Sequence, residues 1–162
     1  MRSFLIEVDP CLKGSSEGRR LKIEKLFQEL GFGKLECVKI AALYRLEGEL
    51  SQSEAERISK EILRDSVAES FVVDPKPQDE KTFFVDIWYK KGVTDSVGVS
   101  LLKAIKDIGI NTVTQAAHGE RILFHQTSDL NNSETLEKKV VQFVDQNLLN
   151  PLVQECKLTG LC

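Results

Sequence analysis

Histidine is scarce here, with only His118 and His125 in 162 residues. Seven positions apart on strand-like sequence, the two would face opposite sides of a sheet. Neither has a Cys, Asp or Glu partner at a metal-ligand spacing, which argues against a metal centre. No Ser-His-Asp or Cys-His pairing can be built from the spacing. The four cysteines, Cys11, Cys37, Cys156 and Cys162, include no Cys-x-x-Cys pair. They read as reduced thiols, and Cys162 is too close to a terminus for a nucleophile. No apolar run approaches the ~20 residues of a spanning helix. The opening MRSFLIEVD has acids where a secretory signal needs an apolar core, so a cytoplasmic location is expected. An excess of basic charge is missing too. A net charge of -3 and a pI near 5.5 argue against a nucleic-acid surface.

What the chain does have is one order of elements stated twice. Phe4, Ile6 and Val8 alternate with Leu5, Glu7 and Asp9, the period of a half-buried strand. Ile23, Leu26, Phe27 and Leu30 then share one helical face, and Gly31 is placed to end that helix. Leu35 to Tyr44 reads as strand, with a turn expected near Ala41-Ala42. Ser51-Gln52-Ser53-Glu54 is a capping box, followed by the stripe Ala55, Ile58, Ile62. Ser70 to Val73 closes the first repeat as a strand. The second opens with Phe83 to Tyr89. Leu101, Ala104, Ile105 and Ile108 repeat the helical face, with Gly109 standing where Gly31 stood. Thr112 to Phe124 reads as a hairpin around His118-Gly119-Glu120. Asn131 with Glu134 imitates the capping box, Leu136, Val140, Phe143 and Val144 form a fourth helical stripe, and Val153 to Leu158 is the last strand.

Between the repeats, Pro75 to Lys81 holds two prolines and four charges and reads as a linker. The expected organisation is a first unit over 1–74, a linker over 75–81 and a second unit over 82–162. The expected fold class is α+β: a duplicated strand-helix-strand-strand-helix-strand unit forming a pseudo-dimer. One repeat alone is of a size at which a single core is marginal, so the halves are expected to be related by a pseudo-twofold.

Gly92 to Gly98 invites a phosphate-loop reading, but no Gly-Lys-Ser/Thr ending follows. A strand-loop-helix junction capped by Asp95 explains it better. Gly14 to Gly18 is the corresponding turn of the first repeat, with Arg19 and Arg20 behind it as a solvated face or an anion clamp. Trp88 and Tyr89 are neighbours on one strand, so one points to the core and the other outward.

The run Tyr89-Lys90-Lys91-Gly92-Val93-Thr94-Asp95-Ser96-Val97-Gly98, then Leu101-Leu102-Lys103-Ala104-Ile105 and Ile108-Gly109-Ile110, resembles the PurS family. PurS is the small subunit of phosphoribosylformylglycinamidine synthase in purine biosynthesis, and the family favours Lys-x-Gly-Val-x-Asp-x-x-Gly. The first repeat is similar to the family's second half, through Tyr44 to Gly48, Leu50-Ser51, Glu54-Ala55 and Asp65-Ser66-Val67. It departs at Leu12-Lys13-Gly14-Ser15, where Gly-Val-x-Asp would stand. The second repeat departs at His118 to Arg121 and at the Gln126 to Asn132 loop.

The resemblance implies two PurS-like units in tandem, free-standing or as at the N-terminus of a long PurL. It implies an accessory role, joining synthetase (PurL-type) and glutaminase (PurQ-type) parts and supporting ammonia transfer. It implies no catalytic residue, cofactor or metal on this chain, and no nucleic-acid or membrane partner. The purified chain is expected neither to hydrolyse ATP nor to release ammonia from glutamine. Lys90, Lys91, Gly92, Asp95 and Gly98 are the expected partner contact. The competing expectation is a regulatory module resembling ACT domains, binding a small ligand between repeats.

Overall fold

The computed structural model describes residues 1–10, 17–31, 35–64, 69–76, 81–126 and 133–160. Several expectations fall wholly or partly outside them: the Gly14 to Gly18 turn, Leu12 to Ser15, the interior of the 75–81 linker, Asp65-Ser66-Val67, Asn131 with its loop, Cys11 and Cys162.

The first repeat runs β1 (Arg2–Pro10), α1 (Glu17–Glu29), β2 (Leu35–Gly48), α2 (Gln52–Ile58) and β3 (Glu69–Val73). The second runs β4 (Thr82–Tyr89), α3 (Ser96–Asp107), β5 (Val113–Gln126), α4 (Ser133–Asn147) and β6 (Gln154–Thr159). The duplicated α+β order is therefore present. The strands form a six-stranded sheet in the order β3-β1-β2-β5-β4-β6. β1 runs antiparallel to β2, with Ile6 opposite Tyr44, and to β3, with Ile6 opposite Val73. β4 runs antiparallel to β6, with Ile87 opposite Cys156.

One correction concerns the middle of each repeat. No turn interrupts β2 at Ala41-Ala42, and no hairpin forms around His118-Gly119-Glu120; each stretch is one strand of 14 residues. Ala41-Ala42 offers no residue suited to positive φ, and Gly119 stays in strand conformation. What resembles a turn in sequence is a lapse of alternation. Ile40 and Ala41 are consecutive and both buried, as are Arg121 and Ile122.

In β2 the lapse falls on the division of the chain into two compact units, and in β5 it falls just beyond it. Unit 1 comprises Met1–Leu12, Ala41–Pro75 and Gly92–Gly119; unit 2 comprises Lys13–Ile40, Lys76–Lys91 and Glu120–Cys162. Each takes one helix from each sequence repeat, α2 and α3 in unit 1 and α1 and α4 in unit 2. The spatial division is thus a different one from that at residues 75–81.

Unit 1 packs Phe4, Ile6 and Val8 of β1 with Leu46 of β2, Ala55 and Ile58 of α2, Leu101 and Ile105 of α3, and Val113 of β5. α2 passes into a π-helical turn, Ser59–Leu63, closed by Arg64 N–H to Ser59 O (3.0 Å). Buried Ser59 returns its hydroxyl to Ala55 O (2.7 Å), a bond that helps loosen the helix at that point.

Unit 2 packs Ile23 and Phe27 of α1 with Cys37, Phe83, Val85, Ile87, Ile122 and Phe124 of the strands and Val140, Phe143 and Val144 of α4. The Phe27 ring lies 4.5 Å from Phe143 and 5.2 Å from Phe124, centroid to centroid. Leu30, expected on the buried face of α1, is exposed instead. The helix ends a residue earlier, and Gly31 turns the chain at φ 84°. Gly109 does the same after α3 at φ 86°.

Candidate functional site

The motif Lys90 to Gly98 links β4 to α3, and the unit division falls between Lys91 and Gly92. In unit 2, Lys90 continues the β4–β6 ladder through its N–H to Val153 O (2.9 Å). Its ammonium donates to Pro151 O (2.5 Å), tying the end of β4 to the turn before β6. Lys91 is exposed, as is Tyr89, while Trp88 faces the core.

In unit 1, Gly92 takes φ 89° in open space, a conformation that a side chain would strain. Asp95 is the N-cap of α3. Its Oδ1 accepts from Gly98 N–H (2.9 Å) and its Oδ2 accepts from His118 N–H on β5 (2.6 Å). One carboxylate therefore closes the helix end and fastens the helix to the strand. Gly98 is what lets them meet: a Cβ there would lie 2.5 Å from Ala116 O and 2.8 Å from Asp95 Oδ2. The Gly-Val-x-Asp-x-x-Gly part of the motif is thus a helix-docking device, and its lysines are the part turned to solvent. The His118 ring packs against Tyr44 at a tilt of 47°, centroids 5.2 Å apart.

α2 is docked in a related way. Ser51 and Glu54 form the expected capping box, with Ser51 N–H donating to Glu54 Oε2 (2.7 Å) and Glu54 N–H donating to Ser51 Oγ (3.2 Å). Thr112 then donates its hydroxyl to Glu54 Oε1 (3.2 Å). The Ser51 N–H, with the Ser51 and Thr112 hydroxyls, holds the Glu54 carboxyl below its ordinary value. Gly48 lies so close to Thr112 that a Cβ would meet its carbonyl oxygen at 2.0 Å.

The arginines behind the first turn are committed within unit 2. Arg20 donates to Glu17 Oε1 (2.6 Å), Glu24 (2.8 Å) and Cys37 O (3.2 Å), and Arg19 pairs with Glu120. Neither offers an open anion clamp. Burial raises the Cys37 thiol to about 12, and burial reinforced by Asp145 raises Cys156 to about 11. Both remain protonated at neutral pH and are poor nucleophiles. Among the described residues no group of three or more His, Cys, Asp or Glu side chains could hold a metal ion, and no helix is long and apolar enough to cross a membrane.

Sequence reasoning missed one buried polar pair. Arg121 donates from Nε to Asp86 Oδ1 and from a terminal nitrogen to Oδ2, both at 2.7 Å, and its guanidinium lies 4.2 Å from the Phe84 ring centroid. Both side chains are almost wholly buried. The available signal was an acid, Asp86, inside the apolar run Phe83 to Tyr89.

Residues 82–160 match the model of the PurS family, described as phosphoribosylformylglycinamidine (FGAM) synthase. The resemblance read from the motif is thereby shown for the second repeat. No curated protein matches the chain. Among solved structures the chain is similar to PurS of Methanocaldococcus jannaschii, described as one of the subunits of formylglycinamide ribonucleotide amidotransferase in the purine biosynthetic pathway. That likeness has 23% identity and a TM-score of 0.42, over 48% of this chain and 92% of the other.

Proposed function

We propose that this chain is a non-catalytic component of phosphoribosylformylglycinamidine synthase, built from two PurS-like repeats over 1–74 and 82–162 joined by 75–81. Its role is to join synthetase (PurL-type) and glutaminase (PurQ-type) parts in the cytoplasm and to support passage of ammonia between them. The observation that carries this reading is the family match over residues 82–160, a span that includes the whole motif turn.

The geometry adds a division of labour within the motif. Asp95 and Gly98 hold α3 on β5, so their part in a partner contact is to shape the turn. Lys90 and Lys91 are exposed and supply positive charge that steers an acidic partner surface.

The test is co-purification of the tagged chain with synthetase and glutaminase subunits. The expected result is a complex that forms at low salt and is weakened by Lys90→Glu with Lys91→Glu. The fold should be unchanged by circular dichroism, because the Lys90 side-chain bond to Pro151 O that is lost is an exposed one and the backbone bond from Lys90 N–H to Val153 O remains. Failure of the native chain to bind either subunit overturns the reading. Binding that ignores the lysine changes moves the contact away from this turn.

A further inference from the structure

β6 stands at one end of the strand order, and no described strand lies beyond it. Its ladder with β4 pairs Trp88 with Glu155, Ile87 with Cys156 and Asp86 with Lys157. The bond from Lys90 N–H to Val153 O fixes the phase of that ladder. Hydrogen-bonding pairs alternate along antiparallel strands. Glu155, Lys157 and Thr159, with the Val153 carbonyl, therefore turn their backbone groups toward β4. Gln154, Cys156 and Leu158 turn theirs to the open edge, where Gln154 N–H is already taken by Asn150 O (2.8 Å).

Glu155 and Lys157 flank Cys156, share one face of the strand and are both exposed. Opposite charges two residues apart are self-complementary in an antiparallel pairing centred between them. The strand at the other end of the sheet, β3, reads ESFVV and contains no cation, so it has no such pattern.

We propose that β6 pairs antiparallel with β6 of a second copy of this chain, with Cys156 opposite Cys156. Glu155 of each copy then faces Lys157 of the other, in the positions where side chains approach most closely. About four backbone hydrogen bonds form without Gln154 N–H: Cys156 N–H to Cys156 O and Leu158 N–H to Gln154 O, each made in both directions. Charged edge residues ordinarily deter strand addition. Here they repel other registers and foreign edges while admitting this one. The inference does not depend on the proposed function.

Sedimentation of the purified chain tests it. The native chain is expected to show a concentration-dependent dimer that weakens with salt. Glu155→Lys and Lys157→Glu each place like charges opposite one another twice, and each should weaken association about tenfold or more. The double variant Glu155→Lys with Lys157→Glu restores complementarity and should restore the dimer. The two single variants, mixed, should associate with each other better than either does with itself. A native chain that stays monomeric overturns the proposal, as does one whose dimer is indifferent to the single changes; an edge reserved for a strand of another protein gives the first of these results.

Discussion

In unit 1 the helices add capping side chains and closely approached glycines to their apolar contacts with the strands, whereas unit 2 packs Phe27, Phe83, Phe124 and Phe143 together and separately buries an ion pair against Phe84. Asp95 bonds to its own helix end and to His118 of β5, Glu54 to its own helix end and to Thr112 just before β5, and Gly98 and Gly48 remove the side chains that would block the approach. The first method sets position through directional bonds and tolerates little added volume. The second sets it through shape, since rings at 4.5–5.3 Å interlock over a large apolar area. Both rest on the same strands, β2 and β5, whose halves belong to different units. Changes should therefore fail differently in the two units.

The largest effect is expected at the buried pair of unit 2. Asp86→Ala leaves the Arg121 charge buried without its carboxylate and should cost about 3–5 kcal/mol in denaturant unfolding. Asp86→Leu combined with Arg121→Met should recover most of that loss. A single change costing under about 1 kcal/mol would show the pair to be wetter than its burial indicates.

Gly98→Ala comes next. The added methyl meets a backbone oxygen and the capping carboxylate, and the expected loss is about 1–3 kcal/mol. A neutral or stabilising result would break the distinction drawn for unit 1, because alanine is otherwise the better helix residue.

Asp95→Ala removes the cap of α3 and the acceptor for His118 N–H, and should cost about 0.5–2 kcal/mol. Asp95→Asn keeps a capping oxygen and should lose less. Hydrogen exchange at Gly98 and His118 amides should rise together in the alanine variant. A rise at Gly98 alone would mean that the tie to β5 is not formed.

The smallest effect is a matter of pH. Glu54 is held below its ordinary value of 4.5, so its contribution is fully present above that pH and is lost as pH falls through the lower folded value. Melting temperature against pH should therefore fall more steeply below about 4.5 in the native chain than in Glu54→Gln. Identical slopes would remove Glu54 from the docking of α2.

Helical faces and their ends were legible because they are local. Ile23, Phe27, Leu101 and Ile105 follow from period, Gly31 and Gly109 from their position, and the Ser51–Glu54 box from four consecutive residues. The turn expected at His118 to Glu120 was a misreading with a physical cause. Gly119 looked like a hairpin residue, but a buried glycine inside a long strand gives the same local signature. The composition of the two units was not legible, because the exchange of segments between repeats depends on pairings more than 60 residues apart, such as that of Thr114 Oγ1 with Glu47 O. Within the motif, its acid and glycine could be recognised as a pattern, but the bond from His118 N–H to Asp95 needed the strand to be in place. The Asp86–Arg121 pair was hidden for the same reason.

The most direct test of the proposed role compares two nitrogen sources in a reconstituted synthase. With synthetase and glutaminase subunits present, glutamine-driven synthesis should require this chain, while synthesis driven by added ammonia should proceed without it. Glutamine-driven synthesis at the full rate in the absence of the chain would contradict a joining and ammonia-passing role.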